Sequence, residues 1–415
     1  MNKMNRMLRL IIILLAMCTN ISMQSQTTAQ WRGLNRDGVY SSEKTLLKAW
    51  PESGPSLLWS TEIIGNGYAS PTVSDGKVFV NGEIDSISHL FAFDLAGKLL
   101  WKTALGKEFM GSGFSSKFPG ARSAPTVVND LVYVCTGRGK LACIETATGK
   151  IKWSRDIISE FIGILNEFGM AESILIDGDN LFCSPGGPEV YMVALNRFTG
   201  STVWTSKGFA DSVSFCSPII IHLASSSVLV SFSNYFIFGL DAKSGAQLWK
   251  QKQEKVQYQQ QCNTPIYADG YIYYIAGDGN GAVKLELSAD GKTIKEVWRN
   301  SLVKNNFKGF VKLADHLFSP DNTQKIKCID IKTGLVTDSI KVKNGSLISA
   351  DGMLYIYSEN GELSLVKLTG TKMEITGKLK IIKGSKEHFS HAVISDGTLY
   401  IRHGKALMAY DIKQK

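Results

Sequence analysis

The stretch that decides the fold reads SAPTVVNDLVYV at residues 123–134, continues as LACIE at 141–145 and TGK at 148–150, and ends on Trp153. Apolar residues alternate with small or polar ones on both sides of Asn129 and Asp130, a pair that tolerates positive φ and favours a tight hairpin turn. Thr148-Gly149-Lys150 marks a second turn before a strand that carries Trp153. The unit therefore predicts four short antiparallel strands.

The same unit recurs along the chain. Copies begin near residues 70, 123, 173, 217, 264, 312, 346 and 390. A unit of this size cannot bury both faces of its sheet alone and must stack against neighbours. Four-stranded units repeated around a ring are the blades of a β-propeller. The sequence predicts an all-β, eight-bladed β-propeller of four-stranded antiparallel blades, or seven blades if one of the three degenerate C-terminal copies is misread.

The two ends of the chain predict how the ring closes. The last copy ends without the outer tryptophan strand, whereas Ser56-Leu57-Leu58-Trp59-Ser60 is a spare strand of that type. Joining both ends in one blade would remove the last open sheet edge. We expect a single domain over residues 30–415, closed by the strand around Trp59.

Six tryptophans recur at the outer strands, where a large ring can pack over the next blade: Trp59, Trp101, Trp153, Trp204, Trp249 and Trp298. We expect Trp101, Trp153, Trp204 and Trp249 to be largely buried.

Residues 1–29 have the pattern of a secretory signal peptide. Lys3, Arg6 and Arg9 precede an apolar run over residues 8–17, which is too short to span a membrane. Cleavage after Ala29 is predicted, with cutting near Ser22 or Ser25 as the alternative, and Cys18 is a candidate lipid anchor. The expected protein is exported to the periplasm or associated with the outer membrane of a Gram-negative bacterium.

Charge and cysteine content narrow the function classes. Loss of residues 1–29, which hold three basic residues and no acidic one, takes the net charge from +9 to +6. The remaining basic residues are scattered, which argues against a nucleic-acid partner. The six later cysteines lie in strand-like runs at irregular spacing, so they are expected to be free and buried. A two-residue turn at Arg138-Gly139 would place Cys135 opposite Ala142.

These repeats resemble the quinoprotein (PQQ-like) repeat family. The recurring Ala-x-Asp, Thr-Gly-Lys and Trp correspond to the tryptophan-docking blade motif of that family, and QWRGLNRDGV at residues 30–39 looks like a segment that opens many of its bacterial members. The resemblance covers residues 30–415 and implies the propeller fold. It implies less about function, because the family holds quinone-dependent alcohol dehydrogenases, the BamB group of assembly scaffolds and many secreted proteins.

Strand order predicts where a ligand would bind. The loops that precede the inner strands, residues 102–122, 154–172 and 250–263, should gather on one face of the ring, and loops on a rigid scaffold commonly carry binding residues. The candidate ligand-binding residues at the channel rim are Tyr68, Arg122, Glu172, Gln261, Asn263 and His388.

The preferred interpretation is a non-catalytic binding or scaffold propeller of the cell envelope. Its expected partner is a protein, small molecule or glycan at the loop face, and it is expected to be a monomer. No catalytic residue, metal site or cofactor is predicted. The alternative is a PQQ-dependent oxidoreductase with calcium, although the chain lacks the adjacent cysteine pair and the haem-binding Cys-x-x-Cys-His of such enzymes. A second alternative is a carbohydrate-binding or carbohydrate-cleaving propeller.

Overall fold

The computed structural model describes residues 28–255, 257–258 and 261–414, and almost every regular element within them is a β-strand. The predicted signal segment up to residue 27, including Cys18, lies outside the described residues. The described part also contains one short α-helix, α1 (Ile157–Glu160), and one 3₁₀ turn (Ser115–Lys117). No helix in it is long and apolar enough to cross a membrane.

The strands form eight sheets, which confirms the predicted eight blades of four antiparallel strands. Three strands precede the first complete blade: β1 (Thr28–Ala29), β2 (Val39–Tyr40) and β3 (Ser56–Thr61). From the channel outward, blade 1 contains β4 (Thr72–Ser74), β5 (Lys77–Ile84), β6 (Ile87–Asp94) and β7 (Leu99–Lys107), and blade 2 contains β8 (Thr126–Val128), β9 (Leu131–Cys135), β10 (Lys140–Glu145) and β11 (Ile151–Asp156). Blade 3 contains β12 (Leu175–Asp177), β13 (Asn180–Cys183), β14 (Val190–Asn196) and β15 (Thr202–Lys207). Blade 4 contains β16 (Ile219–His222), β17 (Ser227–Phe232), β18 (Phe236–Asp241) and β19 (Gln247–Lys252).

Blades 5 to 8 follow the same order. Blade 5 contains β20 (Ile266–Ala268), β21 (Tyr271–Ala276), β22 (Gly281–Leu287) and β23 (Ile294–Asn300), and blade 6 contains β24 (Val311–Leu313), β25 (His316–Asp321), β26 (Lys325–Asp330) and β27 (Val336–Lys341). Blade 7 contains β28 (Gly345–Ala350), β29 (Met353–Ser358), β30 (Glu362–Thr369) and β31 (Lys372–Lys380). Blade 8 contains β32 (Val393–Ser395), β33 (Thr398–His403) and β34 (Ala406–Asp411). Blade 8 takes its fourth strand from β3.

The inner hairpins define two faces of the ring. In blade 1, Asp75 and Gly76 connect the paired residues Ser74 and Lys77, and both turn residues have positive φ, 46° and 71°, as a type I′ turn requires. We call this side the turn face. The connections from each outer strand to the next inner strand lie on the opposite side, the loop face. They begin later than the sequence suggested, because the outer strands extend to Lys107, Asp156 and Lys252.

The ring closes through strands from both ends of the chain. β3 pairs antiparallel with β34, with Trp59 opposite Ala409 and Thr61 opposite Leu407. The pairing has a bulge between Leu57 and Trp59. Blade 8 therefore needs residues that are more than 340 positions apart in sequence.

Residues 28–40, which we call the leader, enter the channel from the turn face. β1 runs antiparallel to the inner strand β8, with Ala29 opposite Val127, and so leads toward the loop face. β2 runs parallel to β28, with Val39 opposite Ser349, and so leads back to the turn face. The intervening residues cross the channel between these two strands.

The six outer-strand tryptophans dock on the following blade. Each indole Nε1 donates to a backbone carbonyl there, at 2.8 to 3.2 Å; the acceptors are Leu95, Thr146, Arg197, Ala242, Gly291 and Ile331 for Trp59, Trp101, Trp153, Trp204, Trp249 and Trp298. The turn of the following blade against which each indole packs needs glycine. Gly149 has φ +75°, and a Cβ added there would lie 2.7 Å from the Trp101 ring. Trp204 and Trp249 are buried, whereas the other four are only partly buried, Trp101 and Trp153 among them.

The cysteines are free, and one detail of the sequence interpretation was wrong. Cys135 pairs with Leu141 and not with Ala142. The hairpin is one residue longer than a two-residue turn: Thr136 and Lys140 are joined by a backbone hydrogen bond of 2.9 Å, and Gly139 adopts φ +91°. Five of the six cysteines in the described residues are buried, and Cys262 is partly buried.

The tryptophan dock should be measurable as a coupling energy. Trp204→Ala should lower the free energy of unfolding by about 3–5 kcal/mol, as for other buried large aromatics. Gly245→Ala should cost about 3 kcal/mol, because its φ is +74° and its new methyl group would overlap Trp204. The double variant should be clearly less destabilised than the sum of the two. Chemical denaturation measures all three.

Gly270→Ala is the matched control. Its φ is +83°, but a Cβ there meets no atom within 4 Å, so only the backbone cost of about 1 kcal/mol applies. Equal losses in Gly245→Ala and Gly270→Ala would show that steric contact with the indole is unimportant.

Candidate functional site

A cavity of about 300 Å³ opens on the loop face at the mouth of the channel. Its wall is largely aromatic: the lining residues include Trp31, Tyr68, Phe114, Phe118, Phe168, Phe215, Phe307 and Phe389. Arg122 and His391 are its ionisable groups besides Tyr68 and the thiol of Cys262. The cavity is thus an apolar recess with very few polar groups, the usual composition of a ligand site.

Seven blades supply the wall from one equivalent position. This position is the fourth residue before the first residue of each short inner strand; its occupants are Tyr68, Arg122, Ala171, Phe215, Cys262, Phe307 and Phe389. Because propeller symmetry brings these positions together around the axis, residues far apart in sequence share one small space.

The aromatic rings contact one another in a continuous cluster. Phe118 has ring centroids 5.3 Å from Phe114, 6.1 Å from Phe168 and 6.3 Å from Phe389. Phe389 in turn lies 5.4 Å from Phe307 and 5.5 Å from Tyr68. These distances fall in the range of favourable aromatic pairs, so the wall is packed and its shape is fixed by mutual contact.

Arg122 projects a cation into this wall. Its guanidinium lies 5.3 Å from the Tyr68 ring centroid and 5.8 Å from that of Phe168. The two Nη groups donate to the carbonyls of Gly120 at 2.8 Å and Phe118 at 2.5 Å. Burial lowers the pKa of Arg122, but an arginine stays charged at neutral pH.

The leader forms the floor of the cavity. The Trp31 ring is tilted against the His391 ring, with centroids 4.6 Å apart, and its Nε1 donates to Thr264 Oγ1 at 3.1 Å. Arg32 donates to His391 Nδ1 at 2.9 Å and to the carbonyl of Phe310 at 2.6 Å. Burial, together with the charge of Arg32, holds the pKa of His391 well below its usual range, so this ring is neutral.

Two of the six predicted rim residues line the cavity. Tyr68 faces it and donates its hydroxyl to Glu387 Oε2 at 2.7 Å, and Arg122 lies in the wall. The structure brings these two together, since the guanidinium lies over the phenol ring.

The other four predicted residues are each one position away from a lining residue. Glu172 follows Ala171, Gln261 and Asn263 flank Cys262, and His388 precedes Phe389. In extended chain, neighbouring side chains point to opposite sides, so an offset of one residue turns the side chain away from the channel.

Gln261, Asn263 and His388 instead brace the scaffold. Asn263 is buried and fully bonded: its amide nitrogen donates to the carbonyls of Ile275 and Asn305, and its oxygen accepts from Gly309 N. Gln261 Oε1 accepts from Gly277 N at 3.2 Å. His388 contacts the Tyr357 hydroxyl at 2.5 Å and stacks on His403; burial lowers its pKa to about 4.

Glu172 is a buried carboxyl group between blades 2, 3 and 4. Burial raises its pKa from 4.5 to about 7, against smaller opposing effects of Ser184 and Arg36. Its Oε1 has no hydrogen-bond partner among the described residues, which agrees with a strong cost of ionisation. Glu172 therefore titrates near neutral pH without facing the cavity.

Sequence reasoning missed the phenylalanines. It looked for polar residues at the rim, whereas Phe215, Phe307 and Phe389 occupy the same register position as Tyr68 and Arg122. Counting four residues back from every inner strand would have found them. Phe114, Phe118 and Phe168 lie in irregular loops, and no periodicity marks them.

The residues of the cavity do not fit a calcium-bound quinone. A hard cation needs several converging oxygen ligands, yet no carboxylate or amide side chain of the described residues lines the cavity. No cluster of three or more His, Cys, Asp or Glu side chains placed to hold a metal ion occurs in residues 28–255, 257–258 and 261–414. We therefore derive no reaction through such a group.

The family match and the curated relatives carry the same name. Residues 87–369 match the family described as outer membrane protein assembly factor BamB. The protein of that name from Escherichia coli K12 is 23% identical over 213 residues, which is 51% of this chain and 48% of that one. The chain thus spans about half the length of the first curated relatives it matches. The Yersinia pestis protein of the same name is 22% identical over 77% of this chain and 78% of its own length.

Solved structures share the fold at low identity. BamB from Moraxella catarrhalis has a TM-score of 0.60 at 13% identity and covers 86% of this chain and 99% of its own. Quinohemoprotein alcohol dehydrogenase from Comamonas testosteroni has a TM-score of 0.64 at 13% identity over 93% of this chain and 81% of its own. An assembly factor and an alcohol dehydrogenase share this fold at similar TM-scores, so the fold alone does not distinguish their functions.

The titration of Glu172 should appear in the stability profile. The native state keeps a proton that the unfolded chain releases between about pH 4.5 and pH 7. This stabilisation is full below about pH 4.5 and is lost as the pH rises through about 7. The free energy of unfolding of the wild type should therefore fall by about 3 kcal/mol relative to Glu172→Gln across this window.

Denaturant titrations at a series of pH values measure this difference. Glu189→Gln, which changes an exposed carboxylate on the β13–β14 connection, is the control and should leave the profile of the wild type unchanged. Parallel profiles for the wild type and Glu172→Gln would contradict the raised pKa.

Proposed function

Because the chain belongs to the outer membrane protein assembly factor BamB family, we propose that it is an exported, non-catalytic scaffold of the cell envelope that binds a partner protein on its loop face. The observation that carries the proposal is a strained, exposed apolar residue, Ile162, held rigidly on that face. The relatives support the proposal through the role stated in their names, assembly of outer membrane proteins.

Ile162 is the left-handed residue that ends α1, where Gly163 N donates to the carbonyl of Ile158 at 2.8 Å, and it is an unusual residue for that place. It is 69% exposed, and its φ of 54° is unfavourable for a β-branched residue. Strain at an exposed position persists only where the surroundings impose it, and such positions cluster at functional sites. We infer that the side chain is kept for contact with another molecule.

The supporting structure around Ile162 is firm. Asp156 caps α1 by accepting from Ser159 N at 3.1 Å, and Arg155 forms an ion pair with Glu160. The carbonyl of Ile164, itself 42% exposed, accepts from Val213 N at 3.0 Å. The loop therefore presents two isoleucines on a fixed backbone, which reduces the entropy lost on binding.

Other loops on this face also expose apolar side chains. Each belongs to a connection between an outer strand and the next inner strand; they are Phe114, Tyr258, Leu302 and Ile382. They lie on the same face of the ring as Ile162, and Phe114 also lines the cavity; exposed apolar side chains gathered on one face are typical of protein interaction sites.

The path of the leader favours one orientation of the ring relative to a membrane anchor. The described chain begins at Thr28 on the turn face, so an anchor upstream, such as acylated Cys18, would tether that face. The loop face would then point away from the tether and be open to a partner.

Export with cleavage upstream of Thr28 is part of this proposal. Cleavage after Ala29 would remove β1, whose residues pair with Val127 and Val128, and would leave a new charged terminus beside Trp31. Cutting just before Cys18, as a lipid anchor there requires, keeps the strand; cutting near Ser22 or Ser25 also keeps it but removes Cys18. The intact mass of the protein from the envelope fraction should correspond to a chain that retains Thr28; a mass that begins at Gln30 would contradict this.

Docking can be tested by photo-crosslinking in the producing cell. A benzophenone amino acid at position 162 or 382 should give the same crosslinked envelope protein, identified by mass spectrometry. The matched control is position 335, because Leu335 is 64% exposed but lies on the turn face. Identical adducts at all three positions, or none at 162 and 382 in folded protein, would refute the docking role.

A stability measurement separates docking from folding. Ile162→Gly removes the side chain and relieves the positive φ, so its free energy of unfolding should stay within about 1 kcal/mol of wild type. Association with the crosslinked partner should nevertheless weaken.

A further inference from the structure

The cavity contains a cation that no described residue neutralises by direct contact. Arg122 makes no ion pair in the part of the chain that the structure describes; its hydrogen bonds go to the carbonyls of Gly120 and Phe118. A buried charge is costly unless it is paired, and two carbonyls from its own loop compensate only in part. The guanidinium has further N–H donors available.

Glu387 and Glu108 attract the Arg122 guanidinium and favour its charged form, but within the described residues neither forms an ion pair with it. Glu387 is engaged by the Tyr68 hydroxyl at 2.7 Å, and it does not line the cavity. Glu108 is buried, accepts from Phe109 N and Gly137 N, and has a pKa raised by burial. His391 in the floor is neutral. Lys308 beside Phe307 is paired with Glu359 at 3.2 Å.

The aromatic walls and the cation together select one chemistry. Aromatic faces alone would suit a cation as well as an apolar ring, but Arg122 already lies over Tyr68 and Phe168 and repels a second positive charge. A volume of about 300 Å³ is at the small end of ligand sites and suits a molecule of one or two rings.

We propose that the cavity binds a small aromatic monocarboxylate, with its ring among Tyr68, Phe118 and Phe389 and its carboxylate on Arg122. Trp31 in the floor lies close enough to report occupancy. This site concerns a small ligand and holds whether or not a partner protein docks on the surrounding rim.

Binding of 2-naphthoate to the purified mature protein tests the proposal. Calorimetry should show saturable binding at one site, and 2-naphthamide, which has the same rings without the charge, should bind at least about tenfold more weakly, as expected for the loss of a charged hydrogen bond. The neutral amide and hexanoate, an aliphatic acid, separate the contributions of charge and ring.

A variant in the cavity wall and a variant beside the cavity should act in opposite directions. Arg122→Gln should weaken 2-naphthoate binding about tenfold or more and abolish the preference over the amide. Glu387→Gln removes a nearby negative charge and should strengthen binding several-fold. Arg138→Gln changes an exposed arginine on the same face, outside the cavity, and should have no effect.

Fluorescence gives a second readout of location. Quenching of tryptophan emission by 2-naphthoate should be largely lost in Trp31→Phe, because Trp31 lines the cavity. Absence of saturable binding, equal affinity for acid and amide, or unchanged affinity in folded Arg122→Gln would each overturn the proposal. The crosslinking result at position 162, which tests the proposed function, is independent of these outcomes.

Discussion

The pairing of β3 with β34 is the contact on which the rest of the structure depends. A ring of blades is stable only when its last sheet edge is covered, and here the cover comes from residues 56–61 against residues 406–411. The leader lies upstream of this closing strand, and its own hydrogen bonds hold it near the axis: Trp31 donates to Thr264, and Arg32 donates to the carbonyls of Phe310 and Leu347.

Buried arginines show how the interior accepts this crossing. Arg32 and Arg36 of the leader bond to carbonyls at the inner strands of three blades: Phe310 and Leu347 for Arg32, Ser173 and Ile174 for Arg36. Arg402 of β33 does the same for the carbonyls of Ala69, Asn81 and Gly65. Burial lowers the pKa of Arg402 to about 9 and those of the two leader arginines to about 10. The forked guanidinium suits this role because one side chain can satisfy several carbonyls that the converging strands leave unpaired.

The sequence was sufficient for the fold because each blade repeats its own local signals. Turn residues such as Asp75-Gly76 and the docking tryptophans act within about 50 residues, and their positions were predicted correctly. The lining of the cavity depends instead on which residue of each loop faces the axis. Tyr68 and Arg122 were found, while Glu172 and His388 were chosen although their neighbours Ala171 and Phe389 line the space. One residue of uncertainty in a loop reverses which side chain faces the axis, and no local signal fixes it. The crossing of the leader was also hidden, since its partners lie up to 359 residues away.

The family match covers only part of the cavity lining, which limits what can be transferred between relatives. The match covers residues 87–369, whereas Trp31, Tyr68, Phe389 and His391 lie outside it. The floor and part of the wall therefore belong to segments outside the match, namely the leader, the connection before blade 1 and the closing blade. Family membership supports a scaffold whose outer loops carry the contacts. The ligand chemistry of the cavity has to be argued from this chain's own residues, above all from the charge of Arg122 among aromatic rings.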